Sequence, residues 1–292
     1  MLIIKKWLDN MGKEIVAVLT GDLIKSQTYS TETLTSTLSD LRSGFNTFKE
    51  IIGEAHDQGN FDLTVFRGDS FQGLLLKPEI ALKAAIYIRA DLISKSKAKF
   101  RRDARIAIGI GTVADMDASL GEAFIKSGVW LDELKGMKQN LIIRTSLGDE
   151  KNKELDTECA LADGIIQKWT PNQAEAVKEY LMCEHQEEVA KKLGISQAAV
   201  SLRLNGSNYS LMQKFFSRYQ EIISSEIQKQ NKIKTNNSTE KLDLTAKRIS
   251  EVIWNLGYSN LSDAELNAFS NNDELSRRVE ARLKKYQGSA QK

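Results

Sequence analysis

"TVFRGDSFQG" (64–73) decides how the first half of the chain folds. An apolar run enters Gly68-Asp69 and a second, "SFQGLLL", leaves at once, the pattern of two strands joined by a tight turn. We read strands over 61–67 and 70–76 with a two-residue Gly-Asp turn. Upstream, "EIVAVLT" (14–20) is a continuous apolar run ending at Gly21-Asp22, which suits a strand covered on both faces. Between them "TETLTSTLSDLRSGFNTFKEIIGEA" has helical spacing, with Ser30 or Thr31 as N-cap.

Downstream, "KPEIALKAAIYIRADLISKS" predicts a second helix with Pro78 near its first turn, and "ARIAIGIG" (104–111) a further strand. A helix over 120–135, a strand over 140–146 and a helix over about 150–168 follow. The order β-α-β-β-α-β with additions is the α+β, ferredoxin-like split βαβ plan. In that plan the first and third strands are antiparallel neighbours. The end of the first, carrying Asp22, then meets the start of the third, carrying Asp69. Two converging carboxylates repel unless a cation lies between them. Mg²⁺ or Mn²⁺ suits such oxygen donors and in turn binds phosphates. Lys25, Arg67 and Gly68 are the nearby candidates for a nucleotide's phosphates.

The second half is of different character. A segment starting at "WTPNQ" (169–173) reads helical to about 227, and 228–242 is polar enough to serve as a linker before a helical tail over 243–292. We therefore divide the chain as 1–168, 169–227, 228–242 and 243–292. Within the second segment, "HQEEVAKKLGISQAAVSLRLNGS" (185–207) has Val189, Leu193, Ile195, Val200 and Leu204 at the apolar positions of two short helices. Ala190 is small where they cross, Gly194 suits a left-handed helix end, and Ser196 is an N-cap for the second helix. Phe215, Phe216, Tyr219, Leu211 and Ile222 supply the apolar face that would complete this small core.

These stretches resemble known families. "VAVLTGDLIKS", "VFRGDSFQG", "ARIAIGIGTV" and "GEAFIKSGVWLDELK" are similar to the successive motifs of class III nucleotide cyclases, which share a palm-like fold. That resemblance makes Asp22 and Asp69 the metal-binding pair, and catalytic if the domain is active. It also implies an Asn and an Arg four residues apart on the helix after "RIAIGIG", positions held here by Ile125 and Val129. The base-reading lysine falls on Val65, and Lys126 stands next to the missing Arg as a substitute cation. "GISQAAVSLRL" resembles the helix-turn-helix of sigma-like and repressor proteins. It implies DNA contacts by Ser196, Gln197, Ser201, Arg203 and Asn205, with Lys191 and Lys192 near the backbone. The combination looks most like the SatD family.

Composition bounds the rest. Net charge is +2 and charged residues make 27%, so DNA binding must come from a shaped element and not bulk charge. Only two His and two Cys are present, which leaves histidine or zinc chemistry poorly supplied. Neither a secretory signal nor a membrane-length apolar run is evident, so we expect a cytoplasmic protein without a membrane partner. The function these features imply is a DNA-binding regulator, as a homodimer, with a divergent cyclase-like domain. That domain would take Mg²⁺ or Mn²⁺ and a purine nucleotide, as nucleoside triphosphate or cyclic nucleotide, with little turnover. The alternatives are an active nucleotidyl cyclase or nucleotidyltransferase, and a scaffold that binds no ligand.

Overall fold

The computed structural model describes residues 15–55, 61–66, 68–97, 100–115, 120–256 and 261–290. The fold is α+β. Strand β1 (Ile15–Leu23) is followed by α1 (Thr31–Ala55), the hairpin β2 (Phe61–Phe66) and β3 (Ser70–Leu75), then α2 (Ala81–Ser94) and β4 (Ala104–Asp115). The short β5 (Leu120–Gly121), α3 (Glu122–Gly136), β6 (Leu141–Arg144) and α4 (Asp149–Ile166) come next. The sheet runs β2-β3-β1-β4, all antiparallel, with β6 added parallel to β4 and β5 pairing near the far end of β4.

β1 lies at the centre because nearly every residue in it tolerates burial; Ala17, Val18 and Leu19 are fully enclosed. Its register with β3 sets Asp22 opposite Ser70, and its register with β4 sets Asp22 opposite Arg105. β2 ends at Phe66, which pairs with Ser70, so the connection is longer than the expected two-residue turn. Gly68 supplies the positive φ of 76° that this longer loop requires.

Helix α2 is buried at every position from Ala81 to Ile93 except Lys83, with Arg89 and Asp91 as its enclosed charged groups. Such a helix must be covered on every side. The sheet covers one side; helix α5 (Pro171–Cys183) covers another. On the opposite face of the sheet α3 packs directly on Gly109. A Cβ there would stand 2.1 Å from the Ala123 carbonyl oxygen and 2.6 Å from the Ser127 amide nitrogen. Gly109→Ala should therefore destabilise the protein by about 1–3 kcal/mol in thermal denaturation, because backbone cannot yield as a side chain does. Gly128, also on α3, has open space where its Cβ would be. Gly128→Ala should instead stabilise by about 0.5–1 kcal/mol, and equal effects of the two would contradict this packing.

Helices α5, α6 (Gln186–Leu193), α7 (Gln197–Gly206) and the first part of α8 (Tyr209–Leu256) belong to the same compact unit as the sheet, which extends to Ser224. The segment from 169 is thus docked. Thr170 caps α5 in a reciprocal box with Gln173, and Pro171 opens the helix. The Trp169 indole donates to the Ser207 carbonyl at 2.8 Å, and the Tyr219 hydroxyl to the Pro78 carbonyl at 2.5 Å. Phe215, Tyr219 and Ile222 are buried as core, whereas Leu211 is half exposed and lies outside it.

A second compact unit runs from Ser225, with its own core of Ala246, Ile249, Leu261, Leu275 and Val279. It includes α9 (Asp263–Ser270), capped by Ser262 and Glu265, and α10 (Asp273–Ala290). Residues 228–242, expected as a linker, are helical and continue α8 without a break. They contain no Gly or Pro, so nothing in them stops propagation of a helix already nucleated on both sides. Among the described residues no helix is long and apolar enough to cross a membrane.

Candidate functional site

The two aspartates come together at one end of the sheet. Asp22 sits near the end of β1, opposite Ser70, and Asp69 immediately precedes that residue. Two bonds tie Asp69 to the residues that follow Asp22. The Leu23 amide donates to the Asp69 carbonyl at 3.1 Å, and the Ser26 hydroxyl donates to Asp69 Oδ2. Ser26 reaches across because the chain turns sharply after β1, with Lys25 in the left-handed region at φ 58° heading a short 3-10 turn.

Asp22 is mostly enclosed. Its Oδ2 accepts from Arg105 Nη1 at 3.4 Å, while its Oδ1 is buried and lacks a hydrogen-bond partner. Burial pushes the Asp22 pKa up. Arg105 and Lys135 pull it down, and the negative charges of Asp69 and Asp132 add to the upward push. Lys135 Nζ in turn holds Asp132 at 2.7 Å. The sheet end therefore gathers Asp22, Asp69 and Asp132 with Arg105 and Lys135. An enclosed carboxylate oxygen with nothing to bind is costly. A cation placed there would relieve the cost.

Among the described residues no group of three or more His, Cys, Asp or Glu side chains is placed to hold a metal ion. Two carboxylates with one orphaned oxygen do fit a hard divalent cation that keeps its waters or takes phosphate oxygens for the remaining positions. Asp22 and Asp69 would hold it. An ion held there would supply positive charge to offset the two carboxylates and to attract an anionic group such as a phosphate.

The other expected ligands distribute unevenly. Gly68, at the hairpin apex, and Lys25, after β1, are both exposed. Arg67 lies outside the described residues. Lys126 is turned away from the pair, to Glu122 and to Ser146 Oγ at 2.9 Å. It lies on the second turn of α3, whereas Asp22 is near the C-terminal end of that helix, where Lys135 stands. Sequence reasoning missed Ser26, Arg105 and Lys135. Only the β1–β4 register reveals Arg105, since a basic residue at a strand start otherwise reads as solvated.

The α6–turn–α7 pair is well formed. Gly194 ends α6 at φ 65°, and the Ile195 amide reaches back to the Ala190 carbonyl at 3.1 Å. Ser196 Oγ caps α7 by accepting from the Ala199 amide at 3.1 Å. Val189, Val200 and Leu204 are buried between the helices. Asn205 is exposed and Ser201 half-buried. Gln197 Nε2 donates to Gln186 Oε1 at 2.7 Å. Arg203 does not face outward as expected. It packs against α5, with Nη1 2.8 Å from Glu175 Oε2, because it follows the buried Val200 by three positions. Lys192 pairs with Glu179, and Lys191 stays exposed.

No family model matches this chain, and no curated protein aligns with it.

Proposed function

We propose that the chain is a DNA-binding regulator of the SatD type. Its sheet end at Asp22 and Asp69 binds a divalent cation with a purine nucleotide, and its α6–α7 pair is a helix-turn-helix. The observation that carries the first half is the buried, partnerless Oδ1 of Asp22 beside a second carboxylate and two cations. The strand order β2-β3-β1-β4 supports a ferredoxin-like, palm-type plan, in which this end of the sheet is where the carboxylates meet. The Gly194 turn, the Ser196 cap and the shared apolar core support the helix-turn-helix.

Binding without turnover fits the α3 side chains better than catalysis. Ile125 and Val129, at the positions where cyclases carry hydrogen-bonding groups, are 64% and 53% exposed and donate nothing. Lys126, the substitute the sequence offered, is engaged by Glu122 and Ser146. Arg105 and Lys135 are the cations that face the aspartates. They would balance a phosphate's charge.

A thermal-shift titration tests this reading. Wild-type protein with Mn²⁺ and ATP or GTP should rise in Tm as ligand exceeds its Kd, by roughly 2.7 kcal/mol of added stability at a hundredfold excess. Asp69→Ala should abolish the rise, and chromatography of the mixture should show the nucleotide unchanged. Conversion to a cyclic or oligomeric product that disappears in Asp69→Ala would establish the enzymatic alternative.

A further inference from the structure

The outward face of α7 has a composition that restricts what it can read, and the inference drawn from it rests on the DNA-binding reading above. Val200 and Leu204 are buried and define the inward direction of the helix. At about 100° per residue, Ala198, Leu202 and Asn205 fall on the opposite side. All three are exposed, and Leu202 at 73% is more exposed than any other large apolar side chain among the described residues.

The side chains that usually discriminate base pairs are withdrawn from this face or missing from it. Reading guanine in the major groove calls for a free Arg or Lys, and reading cytosine for an acidic acceptor. Arg203 is the single cationic residue of α7, and it is paired with Glu175 on α5. α7 contains no Asp or Glu. The Gln197 amide, of the type that grips adenine, is bonded to Gln186. What remains outward is the methyl of Ala198, the isobutyl group of Leu202 and the carboxamide of Asn205. Among base edges, the thymine 5-methyl is the apolar partner, and adenine matches an Asn amide.

We infer that α7 reads thymine methyl groups through Leu202 and Ala198, with Asn205 on a neighbouring adenine, so that the preferred half-site is rich in A·T pairs. An isobutyl side chain left in water at the centre of the groove-facing surface gains by burial against a methyl group. A Leu-to-methyl contact also discriminates by shape, with no charge to bind every sequence equally.

Selection of duplexes with a randomised centre, using the full chain, supplies the site. Each thymine is then replaced in turn by deoxyuridine, which removes the methyl and leaves the pairing edge intact, and affinity is read by fluorescence anisotropy. One or two positions should weaken by about fourfold each. Leu202→Ala should bind the thymine and deoxyuridine duplexes alike; being exposed, it should fold normally. No deoxyuridine effect at any position, or an effect that persists in Leu202→Ala, overturns the methyl inference while the DNA-binding reading stands. Failure of the full chain to bind any duplex at low salt overturns that reading and this one with it.

Discussion

Replacing Arg89 by Met should cost about 3–5 kcal/mol of stability, the largest loss expected from a single side chain here. Arg89 is fully buried in α2 and bonds two enclosed carboxylates. Its Nε and Nη2 each lie 2.9 Å from Asp103, and its Nη1 lies 2.6 Å from Asp163. Burial alone would lower the Arg89 pKa, but the two aspartates outweigh it and hold the guanidinium charged. The carboxylates serve backbone too. Asp103 accepts from the Ala104 amide at 2.8 Å, and Asp163 from the Asn140 amide at 2.9 Å. Removing the arginine would leave two buried negative charges uncompensated, and that penalty exceeds the worth of the pairs themselves. Urea denaturation of Arg89→Met should show the loss, and Arg89→Met with Asp103→Asn and Asp163→Asn should recover a good part of it. A cost below about 1 kcal/mol for the single variant would contradict this account.

The same triad bears on the candidate site. The Asp103 carbonyl accepts from the Ile24 amide at 3.0 Å, and Arg105 follows Asp103 by two residues. Arg89 thereby fixes the start of β4, which in turn sets Arg105 against Asp22. α2 is a structural hub; it holds the site in place without entering it.

Much of this was legible in the sequence, for identifiable reasons. The uninterrupted apolar run of β1 and the hairpin around Gly68-Asp69 are local signals, and each locates one aspartate. Their meeting required only the antiparallel neighbourhood of β1 and β3. Arg105 and Lys135 were not legible, because their relevance depends on a strand register and on which end of α3 adjoins the pair. Lys126 misled for the same reason: proximity in a motif says nothing about which end of a helix faces the carboxylates. Arg203 was read as outward, yet helical spacing from Val200 already carries it towards the flank where α5 packs. Residues 228–242 looked like a linker from polarity, but polarity does not stop a helix that lacks Gly and Pro.

The raised Asp22 pKa carries a consequence of defined sign. An unfolded carboxylate titrates near the ordinary value of 3.8, and the folded one titrates higher. The destabilisation this group imposes is absent below the unfolded value. It grows as pH rises through the folded value and is complete above it. At neutral pH Asp22→Asn should therefore make the metal-free protein more stable, while it deprives a cation of its most enclosed ligand. Gain of stability with loss of binding marks a group kept for its ligand.

Isothermal titration of the full chain with Mn²⁺ alone, at neutral pH, tests the central claim most directly. Wild-type protein should bind Mn²⁺, with affinity weakened by about tenfold or more in Asp22→Asn and in Asp69→Asn and unchanged in Lys126→Ala. Wild-type protein that binds no Mn²⁺, or aspartate variants that bind it as well as wild type, would contradict it.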